Sequence, residues 1–239
     1  MTLLVVSAHA ADFVWRAGGA IALATSRSER VKILCLAYGE RGESAKLWRA
    51  GHGLDEIKSI RRGEAEQAAD VLGAEIEFFD AGDYPLRATE SLVGAVVGVF
   101  RDLQPNVVLT HAQRDPYNYD HPEAARIALE ARVLAQAAGY PASGSPIGAP
   151  PVFLFEPHQP EQCDFTPQVL LDITSVFDRK RLAMECMAAQ EHLWEYYTDL
   201  ARRRGVQAAR NSGPNLGGAS AIYAEAFMRV YPAVTDALQ

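Results

Sequence analysis

Five times before residue 156 a short apolar run rises and then empties into a polar loop: Leu3-Leu4-Val5-Val6, Val31 to Ala37, Ile76 to Phe79, Asn106 to Thr110 and Val152 to Phe155. The first run has no polar alternation and no length for a helix, so it reads as a strand buried on both faces. Helical patterns fill the intervals: about Phe13 to Ser26, Leu54 to Leu72 stopped by Gly73, Thr89 to Gln104, and one opened by Pro122. Strands alternating with helices at this spacing predict βαβ units. The expected fold is α/β and Rossmann-like, a mostly parallel sheet flanked by helices, in a single domain over 1–239. Past Pro151 the pattern loosens. Val169 to Asp172 reads as a further strand, with helices from Val176 to Met187 and from Gln190 toward Arg204. A Gly/Asn-rich tail, Asn211 to Gly218, precedes the apolar and aromatic stretch Ile222 to Val230.

In such a sheet ligands bind outside the carboxyl ends of the strands, so the loops there carry the functional question. The first strand delivers Ser7-Ala8-His9-Ala10-Ala11-Asp12, a His and an Asp three residues apart on one strand-to-helix turn. Asp12 alone could be a helix N-cap and His9 a polar residue leaving the sheet. The other strand ends add Glu43, His111, His121 and His158, so four of the six histidines fall at one predicted edge. Imidazole is the commonest metal ligand, and that clustering points to a metal centre.

Composition narrows the classes. A net charge of −7 over 239 residues argues against nucleic acid or a membrane surface as partner. No apolar run approaches the ~20 residues that span a bilayer, and the start shows no basic, signal-like region. Cys35, Cys163 and Cys186 form no disulfide framework and no C-x-x-C site, which suits a cytoplasmic protein. Ala17-Gly18-Gly19 lacks the spaced glycines of a dinucleotide fingerprint. There is no P-loop and no G-x-S-x-G elbow.

The Ala8-His9-Ala10-Ala11-Asp12 turn, the following Gly18-Gly19 and the later Asn118-Tyr119-Asp120-His121 resemble the two motifs, A-H-P-D-D-E and H-x-D-H, of the LmbE-like (PIG-L) zinc-dependent de-N-acetylases. The resemblance implies Zn2+ held by His9, Asp12 and His121. It also exposes departures: Ala11 stands where the deacetylases have their general-base Asp, Ala10 replaces Pro, Phe13 replaces Glu, and Asn118 replaces a His. Amide hydrolysis needs a base for water and an acid for the leaving amine, and a methyl group supplies neither.

Four further segments, Gly39 to Arg49, Asp115 to Pro122, Phe155 to Cys163 and Gln190 to Tyr197, resemble one branch of the family, the 4-oxalomesaconate hydratases of gallate and protocatechuate degradation. That likeness runs from Leu3 to about Tyr231. It implies addition of water to the activated double bond of a small anionic tricarboxylate, with zinc as Lewis acid or as activator of the water, in a cytoplasmic homo-oligomer. Glu43 and His158 are then the catalytic candidates, with Glu40 as a substitute for Glu43 and the taker of the water proton left open. Arg41, Lys46, Arg49 and Arg114 are candidate carboxylate clamps, because guanidinium matches carboxylate geometry, and Tyr117 and Asn118 are further substrate contacts. The alternative is a zinc-dependent de-N-acetylase of a small N-acetylated sugar or conjugate, using another acid/base residue.

Overall fold

The computed structural model describes residues 1–211 and 221–236; positions 212–218 of the Gly/Asn-rich tail lie outside them. In chain order the elements are β1 (Thr2–Ser7), α1 (Asp12–Ser26), β2 (Arg30–Cys35), α2 (Ala45–Arg49), α3 (Leu54–Leu72), β3 (Glu75–Phe78), α4 (Glu90–Leu103), β4 (Val107–Thr110), α5 (Asp120–Gln136), β5 (Val152–Phe155), β6 (Val169–Asp172), α6 (Phe177–Glu185), α7 (Trp194–Asn211) and β7 (Ala224–Arg229). One sheet runs β3-β2-β1-β4-β5-β7-β6, parallel through β5, with β7 antiparallel to both its neighbours. The expected α/β sheet is present. The stretch read only as apolar and aromatic, Ile222 to Val230, contains the reversed strand β7.

Successive side chains of a strand point to opposite faces. On β1, Leu3 and Val5 enter a core with α1, α3, α6 and α7, while Leu4 and Val6 enter a second core with α4 and α5. Both faces are covered, which is why β1 carries no polar alternation. Truncating Leu4 would cost about 2–5 kcal/mol, the range for a buried Leu→Ala cavity. On the first face a buried ion pair ties α1 to the reversed strand. Glu225 of β7 accepts the Gly19 and Ala20 N–H groups (2.7 and 2.8 Å) and pairs with Lys180 Nζ at 2.6 Å. A side chain at Gly19 would meet Ile173 at 2.6 Å, so the Gly18-Gly19 step lets α1 lie close.

The order of strands reverses between β1 and β4, which opens a crevice at their carboxyl ends. The loops after β1, β2, β4 and β5 surround it. One expectation changes there: Gly39 to Arg49 is not loop throughout but ends in the short helix α2. α2 is fastened by a local tie, Trp48 Nε1 to the Glu40 carbonyl (2.7 Å), and a long-range one, Lys46 Nζ to the Ala188 carbonyl (3.2 Å). Five residues carry too little periodicity to betray it.

Candidate active site

His9 sits two residues past the end of β1, fully buried, with Ser7 Oγ donating to its carbonyl at 2.8 Å. Asp12 is the first helical residue of α1, where the helix dipole favours a carboxylate. It is not an N-cap: its Oδ2 turns back to accept the His9 N–H at 2.8 Å. His121 is the second residue of α5, also buried. Thus two strand-to-helix connections on either side of the crevice deliver the three residues to one place.

Each histidine has one nitrogen fixed by a carboxylate. His9 Nε2 lies 3.1 Å from Asp120 Oδ2, and His121 Nδ1 lies 2.8 Å from Asp115 Oδ2. Asp120 is itself held by the Tyr84 and Leu86 N–H groups. The opposite nitrogens, His9 Nδ1 and His121 Nε2, are buried without a hydrogen-bond partner. They face carboxylate oxygens that are close but not aligned as acceptors: Asp12 and Glu43 at 3.3 and 3.1 Å from His9, and at 3.4 and 3.8 Å from His121. Ligands ~2.0–2.2 Å from one tetrahedral ion lie about 3.3–3.5 Å apart. Orphaned nitrogens, carboxylate backing and this spacing together fit a bound metal, with His9, Asp12, Glu43 and His121 as the candidate donors.

The electrostatics agree. Burial opposes charge on His9, yet Glu43, Asp12 and Asp120 outweigh it and hold its pKa well above the ordinary value. Burial likewise opposes charge on His121, and Asp12 and Asp115 lift it to about 9. Against the same burial, His121 and His111 hold Asp12 well below the usual carboxylate range, and His9 brings Glu43 to about 2. Without a metal, protons supply the positive charge this pocket demands. His111 is not part of that set. Its Nε2 accepts the Ala8 N–H at 2.9 Å and burial keeps it neutral, so it braces His121 by stacking at 4.3 Å.

A cleft of about 670 Å³ opens above the donors, lined among others by Glu43, Lys46, Arg49, Tyr117, Asn118, His121 and His158. Glu43 rather than Glu40 faces the donor set; Glu40 turns to the Tyr38 N–H and to Arg41. Asp83 accepts the Arg41 and Gly42 N–H groups and pins the turn that presents Glu43. Gly42 is required there, since a Cβ would fall 2.0 Å from the Tyr84 ring. His158 lines the cleft without joining the donors. Two expected clamps fall elsewhere. Arg41 spends its guanidinium on the Asp83 carbonyl and on Glu40. Arg114 pairs with Asp164 at 2.9 Å, largely in solvent, because the loop after β4 turns it away from the cleft.

The cationic residue at the cleft floor is Arg16, which sequence reasoning missed. It is buried, with Nε 3.4 Å from Asp12 Oδ1 and Nη1 donating to the Glu156 carbonyl at 2.9 Å. The signal was its i,i+4 spacing from Asp12, which places both on one helix face. Asp115 and Tyr197 were also missed, and no local pattern announces either one.

Comparison with known proteins decides the family. Residues 4–132 match the PIG-L model, GlcNAc-PI de-N-acetylase. The chain belongs to the PIG-L family. It is 56% identical over 236 residues to 4-oxalmesaconate hydratase of Pseudomonas putida, covering 98% of this chain and 91% of the relative. The crystal structure of GalB, the 4-carboxy-2-hydroxymuconate hydratase of the same species, superposes with a TM-score of 0.96 at 55% identity, covering 100% and 99%. More distant is a Rhodococcus erythropolis deacetylase, 1D-myo-inositol 2-acetamido-2-deoxy-alpha-D-glucopyranoside deacetylase. It is 32% identical over 62% of this chain and 58% of its own length. Among the described residues no helix is long and apolar enough to cross a membrane.

Proposed function

We propose that this PIG-L protein is a zinc-dependent hydro-lyase that adds water to the activated double bond of 4-oxalomesaconate or its enol tautomer, giving 4-carboxy-4-hydroxy-2-oxoadipate. The observation that carries the reading is the origin of the second carboxylate within reach of His9 and His121, besides that of Asp12. It comes from Glu43 on the loop after β2, while position 11, where the deacetylases keep their base, is a buried methyl group. The near-full-length likeness to a hydratase supports the same choice over amide hydrolysis.

His9, Asp12 and His121 would hold the metal, with Asp120 and Asp115 orienting the two imidazoles. The chemistry such an ion supplies is Lewis-acid polarisation of a bound oxygen as negative charge develops on the substrate. The rest belongs to the chain. Arg16 at the floor and Lys46 and Arg49 on α2 bind substrate carboxylates. Asn118, whose Nδ2 lies 3.5 Å from Glu43 Oε1, and Tyr117 shape the wall between them. Glu43 and His158 divide the activation of water and the orientation of substrate. Water's oxygen goes to one alkene carbon and a proton to its neighbour, so nothing but water is consumed.

A side-by-side assay of the zinc-loaded protein on the enol acid and on an N-acetyl amino sugar tests this. Turnover of the acid alone is expected. Robust release of acetate would return the de-N-acetylase reading. Glu43→Gln should lower kcat by about 10²–10⁴ while zinc content stays stoichiometric. Loss of zinc with loss of activity would make Glu43 a ligand instead of the base.

A further inference from the structure

His158 stands half-buried on the loop after β5, and it is gripped from α7 in three ways. The Tyr196 ring stacks on it at 4.3 Å and 7°. Tyr196 OH donates to the His158 carbonyl at 2.7 Å. Tyr197 OH lies 3.1 Å from His158 Nδ1. Tyr197 is itself buried and stacked on Trp15 at 5.4 Å and 13°, so its hydroxyl has a fixed place.

The hydrogen in that last contact has one satisfactory home. A buried phenol must donate or leave a polar hydrogen without a partner, at a cost of about 1–3 kcal/mol. Among the described residues, His158 Nδ1 is the partner this hydroxyl meets. Were Nδ1 protonated, it would donate to the phenol oxygen, and the phenol's own hydrogen would have no acceptor among the described residues. Burial holds the Tyr197 hydroxyl protonated, and burial together with Arg16 pushes the His158 pKa down, so the imidazole is neutral. Its remaining nitrogen, Nε2, then carries the proton.

We propose that Tyr197 is a positioning residue that fixes His158 as a neutral Nε2–H hydrogen-bond donor, so that His158 stabilises charge on a substrate oxygen and Glu43 takes the water proton. This rests on the hydratase reading for its substrate but not for its geometry. A neutral imidazole is suited to this role, since it strengthens its bond as charge develops without first giving up a proton.

Two measurements on the zinc-loaded enzyme test it. Nitrogen-15 NMR of the histidine rings, with His158 assigned by its disappearance in His158→Gln, should show a protonated Nε2 and a hydrogen-bonded, bare Nδ1. Tyr197→Phe, which keeps the stacked ring, should move the Nδ1 resonance toward that of a free imidazole nitrogen. In turnover, His158→Gln places an amide donor where Nε2–H was and should keep kcat within about tenfold, whereas His158→Ala should lose about 10²–10³, the worth of one such donor. A protonated Nδ1 in the wild type overturns the inference, as does equal loss in the Gln and Ala variants. Wild-type protein that shows the Nε2–H tautomer but hydrates nothing overturns the functional reading and leaves the role of Tyr197 intact.

Discussion

The floor of the cleft and its rim are built on different principles. At the floor His9, Asp12, Arg16, Asp115, Asp120 and His121 are all buried, and each is fixed by a backbone N–H, a carbonyl or a charged neighbour. At the rim Lys46 and Arg49 stand on a five-residue helix, and the Lys46 ammonium, about half exposed, is shared with an equally exposed Glu191. Fixed dipoles at the floor act in a low dielectric and need no reorganisation, so charge there counts for far more. Rim charges are screened by water and pay entropy to hold still. The floor should therefore decide whether reaction occurs, and the rim how readily substrate arrives.

The sharpest break of that contrast is removal of the metal. Chelation should abolish hydration, and added zinc should restore it. The chelated protein also has a pH signature. The His121 pKa in the metal-free fold is about 9, above the ~6.5 of an unfolded chain. A raised pKa stabilises the fold fully below the unfolded value, and that contribution fades as pH rises through the folded one. The Tm of the chelated protein should thus fall between about pH 6.5 and about 9. Zinc needs the imidazoles unprotonated, so its affinity gains over the same interval and the gap in Tm between the two forms should widen. A chelated protein with flat Tm across that range would mean the donors do not form one charge-starved pocket.

Next in size is Arg16→Met, which removes a buried guanidinium from the floor. A hydrogen bond to a charged group contributes about 1.5–3 kcal/mol, so KM for the tricarboxylate should rise about 10- to 150-fold. A dicarboxylate analogue lacking the group that Arg16 binds should be nearly indifferent to the change. Equal losses with both compounds would show that Arg16 serves Asp12 and the Glu156 carbonyl and not the substrate.

How much of this was legible in the sequence follows the same division. The strands β1, β4 and β5 could be read because burial on both faces leaves a run of apolar residues that nothing else explains, while the edge strand β3, with no buried residue, was marked only by its place between two helical patterns. His9 and Asp12 could be read because both follow closely on the end of β1, so local spacing reports their position, whereas His121, well beyond the end of β4, was singled out by its likeness to the second motif of the family. The rim could not be read that way. Arg41 and Arg114 lie in loops beside the cleft, and proximity in sequence says nothing of which way a loop side chain turns; Asp83 and Asp164 decide that, 42 and 50 residues away. Arg16 was hidden for the opposite reason, as a single charge inside the helical run Phe13 to Ser26 and not in a loop at a strand end. Tyr197 acts on a histidine 39 residues earlier, and only the docking of α7 joins them.

The smallest expected effects divide the rim itself. Arg49 lines the cleft, and Arg114 does not. Arg49→Ala should raise KM by up to about fivefold, the limit for an exposed charge worth under about 1 kcal/mol, and the loss should shrink further as salt is added. kcat should stay unchanged, since a rim charge holds ground and transition states alike. Arg114→Ala should leave both constants where they were and cost little stability, because its pair with Asp164 is open to water on both sides. A KM effect at Arg114 equal to that at Arg49 would mean that the loop after β4 swings inward when substrate binds. In that case the division between a fixed floor and a screened rim would have to be redrawn around a closing loop.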